Sequence, residues 1–514
     1  MASYKCKVCG YIYDESKEKT LWKDLPDSWE CPLCSSDKSY FTTSKVYECN
    51  VCAYIYDEAK EEIYWNILND AWVCPICSSG KTYFTIKAKE KVQNKEIIKE
   101  TQLRSGKDRY LGAWERSSDK IEIYLKDIHK IAETGKSIIE PMRSKKEHPS
   151  WDSLLFKGVQ LSKQPLDEDQ EVVTKTVIGK NAKQPLIISA PIIISHMSFG
   201  ALSREAKISL SRGSAAVKTA MCSGEGGILE ESFENSYKYI FEYVPNKYSA
   251  TNENFKKVDA IEIKIGQSAK PGMGGHLPGN KVTEEIRKIR NKPKGSDIIS
   301  PSSFPEINNK DDLKKMVLML REKSGGKPIG IKIAAGNIED DIDFILYSNP
   351  DFITIDGRPG ATGAAPKFIK DSTSIPTLFA LYRARKFLDS KKSDVTLIIT
   401  GGLRVSSDFA KAIALGADVV AISTAALIAC GCQQYKICET GKCPVGITTH
   451  DPELRKRLNI KKSAKRIENF LNSSIDDIKT FARITGNNAV SSLSIKDLCT
   501  TSIEISSFTE INHV

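Results

Sequence analysis

A repeat of cysteine pairs at the start of the chain restricts its fold more than any other feature. Cys6, Cys9, Cys31 and Cys34 recur 43 positions later as Cys49, Cys52, Cys74 and Cys77. The aromatics keep the same offset: Tyr11, Tyr13, Trp22, Trp29 and Phe41 recur as Tyr54, Tyr56, Trp65, Trp72 and Phe84. Ligand-type and core-type side chains in one register mean two copies of one small fold. Four thiolates on two CxxC loops make a tetrahedral sulfur site that suits iron or zinc. A unit of roughly forty residues buries too little core to fold unaided, so the metal must supply much of its folding free energy.

The run from Cys6 to Asp14, CKVCGYIYD, followed by LPDSWECPLC over 25–34, resembles rubredoxin, although the stretch between ligand pairs is shorter than in free rubredoxins. That resemblance implies iron in each site, with two zinc ribbons acting as docking knobs as the alternative. Ala53 stands in the second copy where the first has Gly10. If that position needs positive φ, its Cβ costs roughly 1–2 kcal/mol, and the second site is expected to be the weaker.

The fourteen cysteines group as metal ligands rather than as disulfides: eight in those pairs and three more spaced near the C-terminus. With no apolar leader after Met1 and no apolar run of about twenty residues, a cytoplasmic protein off the membrane is expected. The net charge of +10 comes from lysines scattered among acids, so no nucleic-acid partner is expected. The expected domains are 1–43 and 44–86 for the two repeats, 87–150 for a linker and helical extension, 151–480 for the main domain and 481–514 for a tail. The linker is the Lys/Glu-rich stretch 86–107. The extension carries an amphipathic helix over 119–135, expected to pack on the main domain.

From about residue 185, short apolar runs alternate with helical segments. Strands are expected at Ile192–Met197, Ala215–Ala220, Ile261–Ile265, Asp297–Ser300, Ile329–Ala334, Phe352–Asp356, Leu397–Thr400 and Val419–Ser423. Crossover helices between them predict an α/β fold, a closed parallel (β/α)8 TIM barrel behind the two small metal-binding β domains. Chemistry in such barrels sits at the C-terminal ends of the strands. Here those ends carry Ser198-Phe199-Gly200, Ser223-Gly224-Glu225, Gln267-Ser268-Ala269-Lys270, Lys332, Asp356-Gly357, Gly401-Gly402 and Ser423-Thr424. Gly401-Gly402-Leu403-Arg404 and Ser423-Thr424, after the last two strands, form a phosphate site suited to FMN. No GxGxxG fingerprint follows a strand, so no NAD(P) domain is expected. Three thiols at Cys432-x5-Cys438-x4-Cys443, followed by Pro444, indicate a cluster rather than a single metal.

Residues 185–460 closely resemble the FMN domain of glutamate synthase. The motifs that carry this are MSFGALS at 197–203, SGEGG at 223–227, KIGQSAKPG and GGHLPG within 264–279, DGRPGATGAAP at 356–366, and the cysteine cluster with CPVG at 443–446. The resemblance implies FMN held by Met197, Ser198, Gln267, Lys332, Gly360, Gly401, Gly402, Ser423 and Thr424. It implies a [3Fe-4S] cluster on Cys432, Cys438 and Cys443, with Cys430 keeping a [4Fe-4S] form open. It implies reductive amination of 2-oxoglutarate with ammonia to L-glutamate. Lys270 and Arg290 would clamp the dianion, His276 (glutamine in many relatives) would bond the keto acid, and Glu225 would manage the ammonia. Met273 stands where bacterial relatives often have glutamate. A glutaminase domain with an N-terminal cysteine is not found in the sequence, so free ammonia or a separate glutaminase subunit is expected. Electrons are expected from a ferredoxin or an NAD(P)H reductase. Two other readings remain: an alkylamine in place of ammonia, as in N-methylglutamate synthase relatives, or a redox relay without turnover.

Overall fold

The computed structural model describes residues 119–290 and 296–514, and within 3–86 all but 7–10, 16, 17, 19, 34, 44, 53, 59, 60, 62–64, 66, 67, 70 and 78. Cys9, Cys34, Ala53 and linker residues 87–107 therefore lie outside the described residues. The chain divides into two compact units, Met1–Glu133 and Thr134–Val514.

In the first unit the repeat becomes a repeated sheet. Ser3–Cys6 pairs antiparallel with Ile12–Asp14 on one side and Phe41–Thr43 on the other. Val46–Cys49 does the same with Ile55–Asp57 and Phe84–Ile86. The ring contacts are superimposable. Tyr4 stacks on Trp22 at 4.4 Å and 13°, and Tyr47 on Trp65 at 4.5 Å and 14°. Tyr13 meets Trp29 edge-on at 5.5 Å, as Tyr56 meets Trp72. Such aromatic pairs add to area burial in a sheet too small for a second hydrophobic layer. The amphipathic stretch downstream forms a helix over Leu125–Thr134, none of whose residues is buried.

The second unit is a closed barrel of eight parallel strands: β1 (Ile192–Ile194), β2 (Ala220–Cys222), β3 (Lys238–Tyr243), β4 (Ala260–Lys264), β5 (Ile329–Ala334), β6 (Phe352–Asp356), β7 (Thr396–Thr400) and β8 (Val419–Ile422). β8 closes on β1 with Val420 opposite Ile192. Two expected strands are corrected. Ala215–Ala220 holds the last two residues of a helix, Arg204–Ala216, which Ser203 caps through the Ala206 N–H, then a turn and the first residue of β2. Ile298–Ile299, expected within the barrel, instead pairs antiparallel with His276–Leu277 in a small flap on the long β4–β5 connection. β3 takes the vacant place. Its sequence, KYIFEY, has the aromatic and β-branched content of a strand, although it is absent from the strands expected above.

The bottom of the barrel is plugged by a hairpin, Thr176–Ile178 with Leu186–Ile188. Its Ile178, Leu186 and Ile188 join Ile193, Ile240, Phe352 and Ile398 in an apolar layer. Higher up, the inward positions are charged: Glu242, Glu262, Lys264, Lys332 and Asp356 are all buried. A dry barrel that buries charge at one end only has a site at that end. Outside, the helix Ile460–Ile484 lies close against Arg204–Ala216, where a Cβ on Gly213 would meet Ile467 Cβ at 2.6 Å. That helix runs through position 481, and Leu498–Thr500 pairs with Leu154–Phe156.

Candidate active site

The C-terminal mouth of the barrel encloses a cavity with about 1130 Å³ of atom-free space, its open mouth included. Of the residues singled out in the sequence, Met197, Ser198, Glu225, Gln267, Lys270, His276, Lys332, Ser423 and Thr424 line it. Arg290 does not. It lies buried behind the Gly224–Gly227 turn, donates to the Phe199 carbonyl at 2.8 Å, and packs its guanidinium 5.5 Å over the Tyr248 ring. Met273 is 40% exposed and stays outside the lining.

Glu225 is held from two sides. Lys264 Nζ donates to one carboxylate oxygen at 2.5 Å and Ser300 Oγ donates to the other. Burial would raise its pKa, but Lys264 and Ser300 outweigh that and bring it to about 2. The carboxylate is therefore ionised at any working pH, an acceptor and not a proton donor. Lys270, 4% exposed, donates to the Gly274 carbonyl at 2.9 Å. Burial and the neighbouring Lys264 bring its pKa down to about 8. His276, at the rim, is paired with Asp297 at 2.9 Å.

Lys207, on the first crossover helix, is wholly buried and donates to the carbonyls of Met197, Cys222 and Ser223 at 3.1, 3.1 and 2.9 Å. It ties the ends of β1 and β2 together. Gly224 then lies directly on the backbone of Met197 and Ser198, with φ +75°, where a Cβ would have no room.

The glycine cradle after β6 and β7 is built on the same plan. Gly401 has φ +111°, and a Cβ there would strike the Gly357 backbone. At Gly360 a Cβ would lie 2.8 Å from the Gly401 Cα. Next to this cradle, burial and the nearby Arg143 lower the Arg404 pKa to about 10. FMN fits these residues on two counts: the cationic Arg404 beside the glycine turns after β6 and β7, and buried atoms without partners on the cavity wall. Those atoms are His196 Nδ1, Thr362 Oγ1 and Thr448 Oγ1. Gly401→Ala must adopt the left-handed region and displace the Gly357 peptide, a strain of roughly 1–3 kcal/mol or more. The purified variant is expected to keep its far-UV circular dichroism and carry at least tenfold less flavin per chain.

Cys432, Cys438 and Cys443 line a second cavity of about 370 Å³. Met142, Leu427, Cys438 and Thr448 line both cavities, so the two adjoin. Gln434 donates to Cys432 Sγ from its backbone N at 3.4 Å and its Nε2 at 3.1 Å. Amide donors on sulfur are what a cluster ligand set uses. Cys430 is buried beside Ser463 of the long helix and is not in the lining.

In the first unit the sulfurs of Cys49, Cys52, Cys74 and Cys77 all lie within 4.8 Å of one another. Cys49–Cys77 and Cys52–Cys74 are each 3.6 Å apart. A tetrahedral metal with bonds of about 2.3 Å places its sulfurs about 3.8 Å apart, so the four thiols fit one ion. Cys6 and Cys31 are buried in the first repeat.

Sequence reasoning passed over several residues. His196, Glu242, Lys281 and Asp356 line the main cavity, and Lys264 pairs with Glu225. Lys264 stands inside a quoted motif and Asp356 begins another. His196 and Glu242 sit within apolar runs and gave no signal.

A closed barrel with a charged mouth, a neighbouring trithiol cavity and a four-cysteine module defines an oxidoreductase with metal centres. Residues 126–488 match the conserved region in glutamate synthase, and residues 3–41 match rubredoxin. The chain is 36% identical to a glutamate synthase large subunit-like protein of Rhizobium meliloti, over 75% of this chain and 92% of that protein. It is 37% identical to an archaeal glutamate synthase [NADPH] of Methanocaldococcus jannaschii, over 71% and 78%. It is 38% identical to an archaeal-type glutamate synthase [NADPH] of Dehalococcoides mccartyi, over 72% and 78%. The chain belongs to the glutamate synthase family.

Proposed function

We propose that the barrel forms L-glutamate from 2-oxoglutarate and ammonia. The observation that carries this reading is the Glu225–Lys264 pair beside Lys270 at the barrel mouth, in the cavity that adjoins the three thiols. FMN in that cavity would supply the two-electron reduction of the carbon–nitrogen double bond. Its phosphate would rest on Gly401, Gly402 and Arg404, with Gly360 packed behind them. Gln267, Lys332, Met197, Ser198, Ser423 and Thr424 would surround the rest. Cys432, Cys438 and Cys443 would hold a [3Fe-4S] cluster. With Cys430 turned to Ser463, a fourth thiol is not offered to that cavity.

The substrate is a dianion, and Lys270 and His276 stand at its approach. Lys270 binds carboxylate by charge and hydrogen bond. Arg290 acts from behind, fixing the Phe199 and Gly226 backbone. Glu225, ionised and acceptor-only, attracts ammonium and faces the positive charge of the iminium, while the ammonia left when ammonium gives its proton to water carries the lone pair that attacks the keto carbon. Loss of water from the adduct gives the iminium. The reduction adds a hydride equivalent to its carbon, and the α-amine keeps the nitrogen.

Lys270 sets a pH dependence. It carries its charge below about pH 8 and loses it as pH rises through that value. The KM for 2-oxoglutarate is therefore expected to climb above pH 8, up to about tenfold per pH unit, with kcat changing less. Steady-state kinetics from pH 6.5 to 9.5 checks this.

The four-cysteine sites would carry iron, with zinc as the alternative that metal analysis distinguishes. Ammonia would come free or from a separate glutaminase subunit, and electrons from a ferredoxin or an NAD(P)H reductase. The deciding experiment is anaerobic. The flavin of the reduced protein should reoxidise when both 2-oxoglutarate and ammonium are added, with glutamate as product. Reoxidation with methylamine but not with ammonium would move the assignment to N-alkylglutamate formation. Flavin that ignores both amines would leave a redox relay.

A further inference from the structure

The floor of the main cavity holds a buried charge network centred on His196, Glu242 and Glu262, to which the proposed reaction gives no role. His196 lies two residues beyond the end of β1, and its side chain is 6% exposed. One ring nitrogen, Nε2, is 2.6 Å from a Glu262 carboxylate oxygen on β4. The other, Nδ1, is 3.7 Å from a Glu242 oxygen on β3 and has no hydrogen-bond partner. The other Glu262 oxygen accepts from Thr354 Oγ1, while the oxygen nearest Nε2 makes no hydrogen bond. Lys332, on β5, is 3.4 Å from Asp356 on β6. The charged and titratable groups around the ring are thus Glu242, Glu262, Cys222, Lys332 and, through the same neighbours, Lys207.

A neutral imidazole has one N–H and one lone pair. With a carboxylate at each nitrogen, the lone pair would point at negative charge inside a dry barrel. Only the imidazolium offers a proton to both sides. Three ligand-type residues also meet here within 4.8 Å of one another. A chelating histidine, however, turns one nitrogen to the ion that its carboxylates share. This ring faces different carboxylates through opposite nitrogens, which is the geometry of a bridging cation.

His196, Glu242 and Lys332 line the same cavity as Met197 and Ser198. We infer that His196 is a permanently protonated positioning residue, which with Lys332 forms the cationic part of the cavity floor and holds up the reduction potential of the flavin bound above it. The inference rests on the proposed flavin site for its effect, but not for the charge of the ring. Positive charge near a flavin favours the reduced, more anionic form, and low dielectric keeps the interaction strong. The imidazolium also cancels one of two glutamates that would otherwise raise the cost of adding electrons.

Two measurements test it. Nitrogen-15 NMR on cofactor-free protein, with His196→Gln identifying the signal among the six histidines, reads the ring directly. Both ring nitrogens are expected at protonated positions from pH 5.5 to 9. A neutral tautomer at pH 7, or a metal ion found at the ring, overturns the inference whether or not flavin binds. Spectroelectrochemistry on flavin-loaded protein reads the effect. His196→Gln is expected to lower the flavin midpoint potential and Glu262→Gln to raise it. The double variant His196→Gln/Glu262→Gln, which leaves no uncompensated charge and so should fold well, is expected to return close to the parent. A double variant that stays as low as His196→Gln alone overturns the electrostatic account. Failure of the parent protein to bind FMN would instead defeat the proposed function, while the NMR still decides the charge.

Discussion

Glu225→Gln is expected to lower kcat for glutamate formation by roughly 10²- to 10³-fold, the range for loss of one preorganised electrostatic contact to a developing charge. The KM for 2-oxoglutarate should change much less, because Lys270 remains in place. Glutamine keeps the shape and accepts through one oxygen only. It can neither attract ammonium by charge nor face the iminium with a negative charge. The substitution also strips the carboxylate from Lys264, whose side chain is 7% exposed and whose Nζ lies 2.5 Å from Glu225. An ammonium left buried and unpaired costs about 3 kcal/mol or more, so the variant should melt earlier as well as turn over slowly. The two effects separate experimentally. Flavin content and the ultraviolet-visible spectrum should persist below the melting transition while glutamate output does not. Raising ammonium should not rescue the rate if the charge that faces the iminium is the lost function. Full rescue at high ammonium would mean that Glu225 only gathers the substrate.

The second large effect concerns the four-cysteine module. Cys74→Ala, or exhaustive chelation, is expected to abolish ordered structure in residues 45–86. Cys74 is fully buried, and its sulfur is 3.6 Å from that of Cys52. Among the described residues, the main other supports of this repeat are one three-stranded sheet, a cluster of Tyr47, Tyr56, Trp65, Trp72 and Phe84, and a few side-chain bonds such as those of Glu58. A core that small does not offset the chain entropy of about forty residues. A structural metal on four thiolates contributes on the order of 10–16 kcal/mol in small metal-folded domains, so its loss exceeds any reserve. Near-UV circular dichroism and tryptophan emission should report exposed Trp65 and Trp72, and amide exchange across Val46–Cys49 should become fast. Persistence of protected amides in that strand after complete metal removal would show that the aromatic cluster alone suffices.

Legibility differed sharply between parts of the molecule. The duplicated sheets could be read from residues because ligands and rings recur at one offset, and the ring separations agree to within about 0.2 Å. Strands β5, β6, β7 and β8 could be read because each is a continuous apolar run between a helix and a glycine or serine. The second and third strands could not. Ala215 and Ala216 are as apolar as a strand requires but end a helix, where one is half-buried and the other exposed. Lys238–Tyr243 looks like a connection when its neighbours are misplaced. Nine of the residues proposed for the site gather in one cavity wall, since each loop motif was read at the end of a strand. Arg290 could not be placed in the same way. Its position depends on how the β4–β5 connection folds back over the Gly224 turn.

What the amino-acid order determined by itself is the chemistry that local spacing encodes: two thiolate quartets, three later cysteines, a glycine cradle, and a glutamate and a lysine on loops after strands. Metal geometry and close peptide approach demand particular residues a few positions apart, and such demands are written in short motifs. Only the tertiary structure decided which eight segments close the barrel, that Met142 lies between the two cavities, and that His196 meets Glu242 and Glu262. Those partners stand 46 and 66 positions away. An inward charge on one strand has no local signature of the charge that balances it on another, because that pairing follows from barrel closure and from the high cost of leaving either one alone in a dry interior.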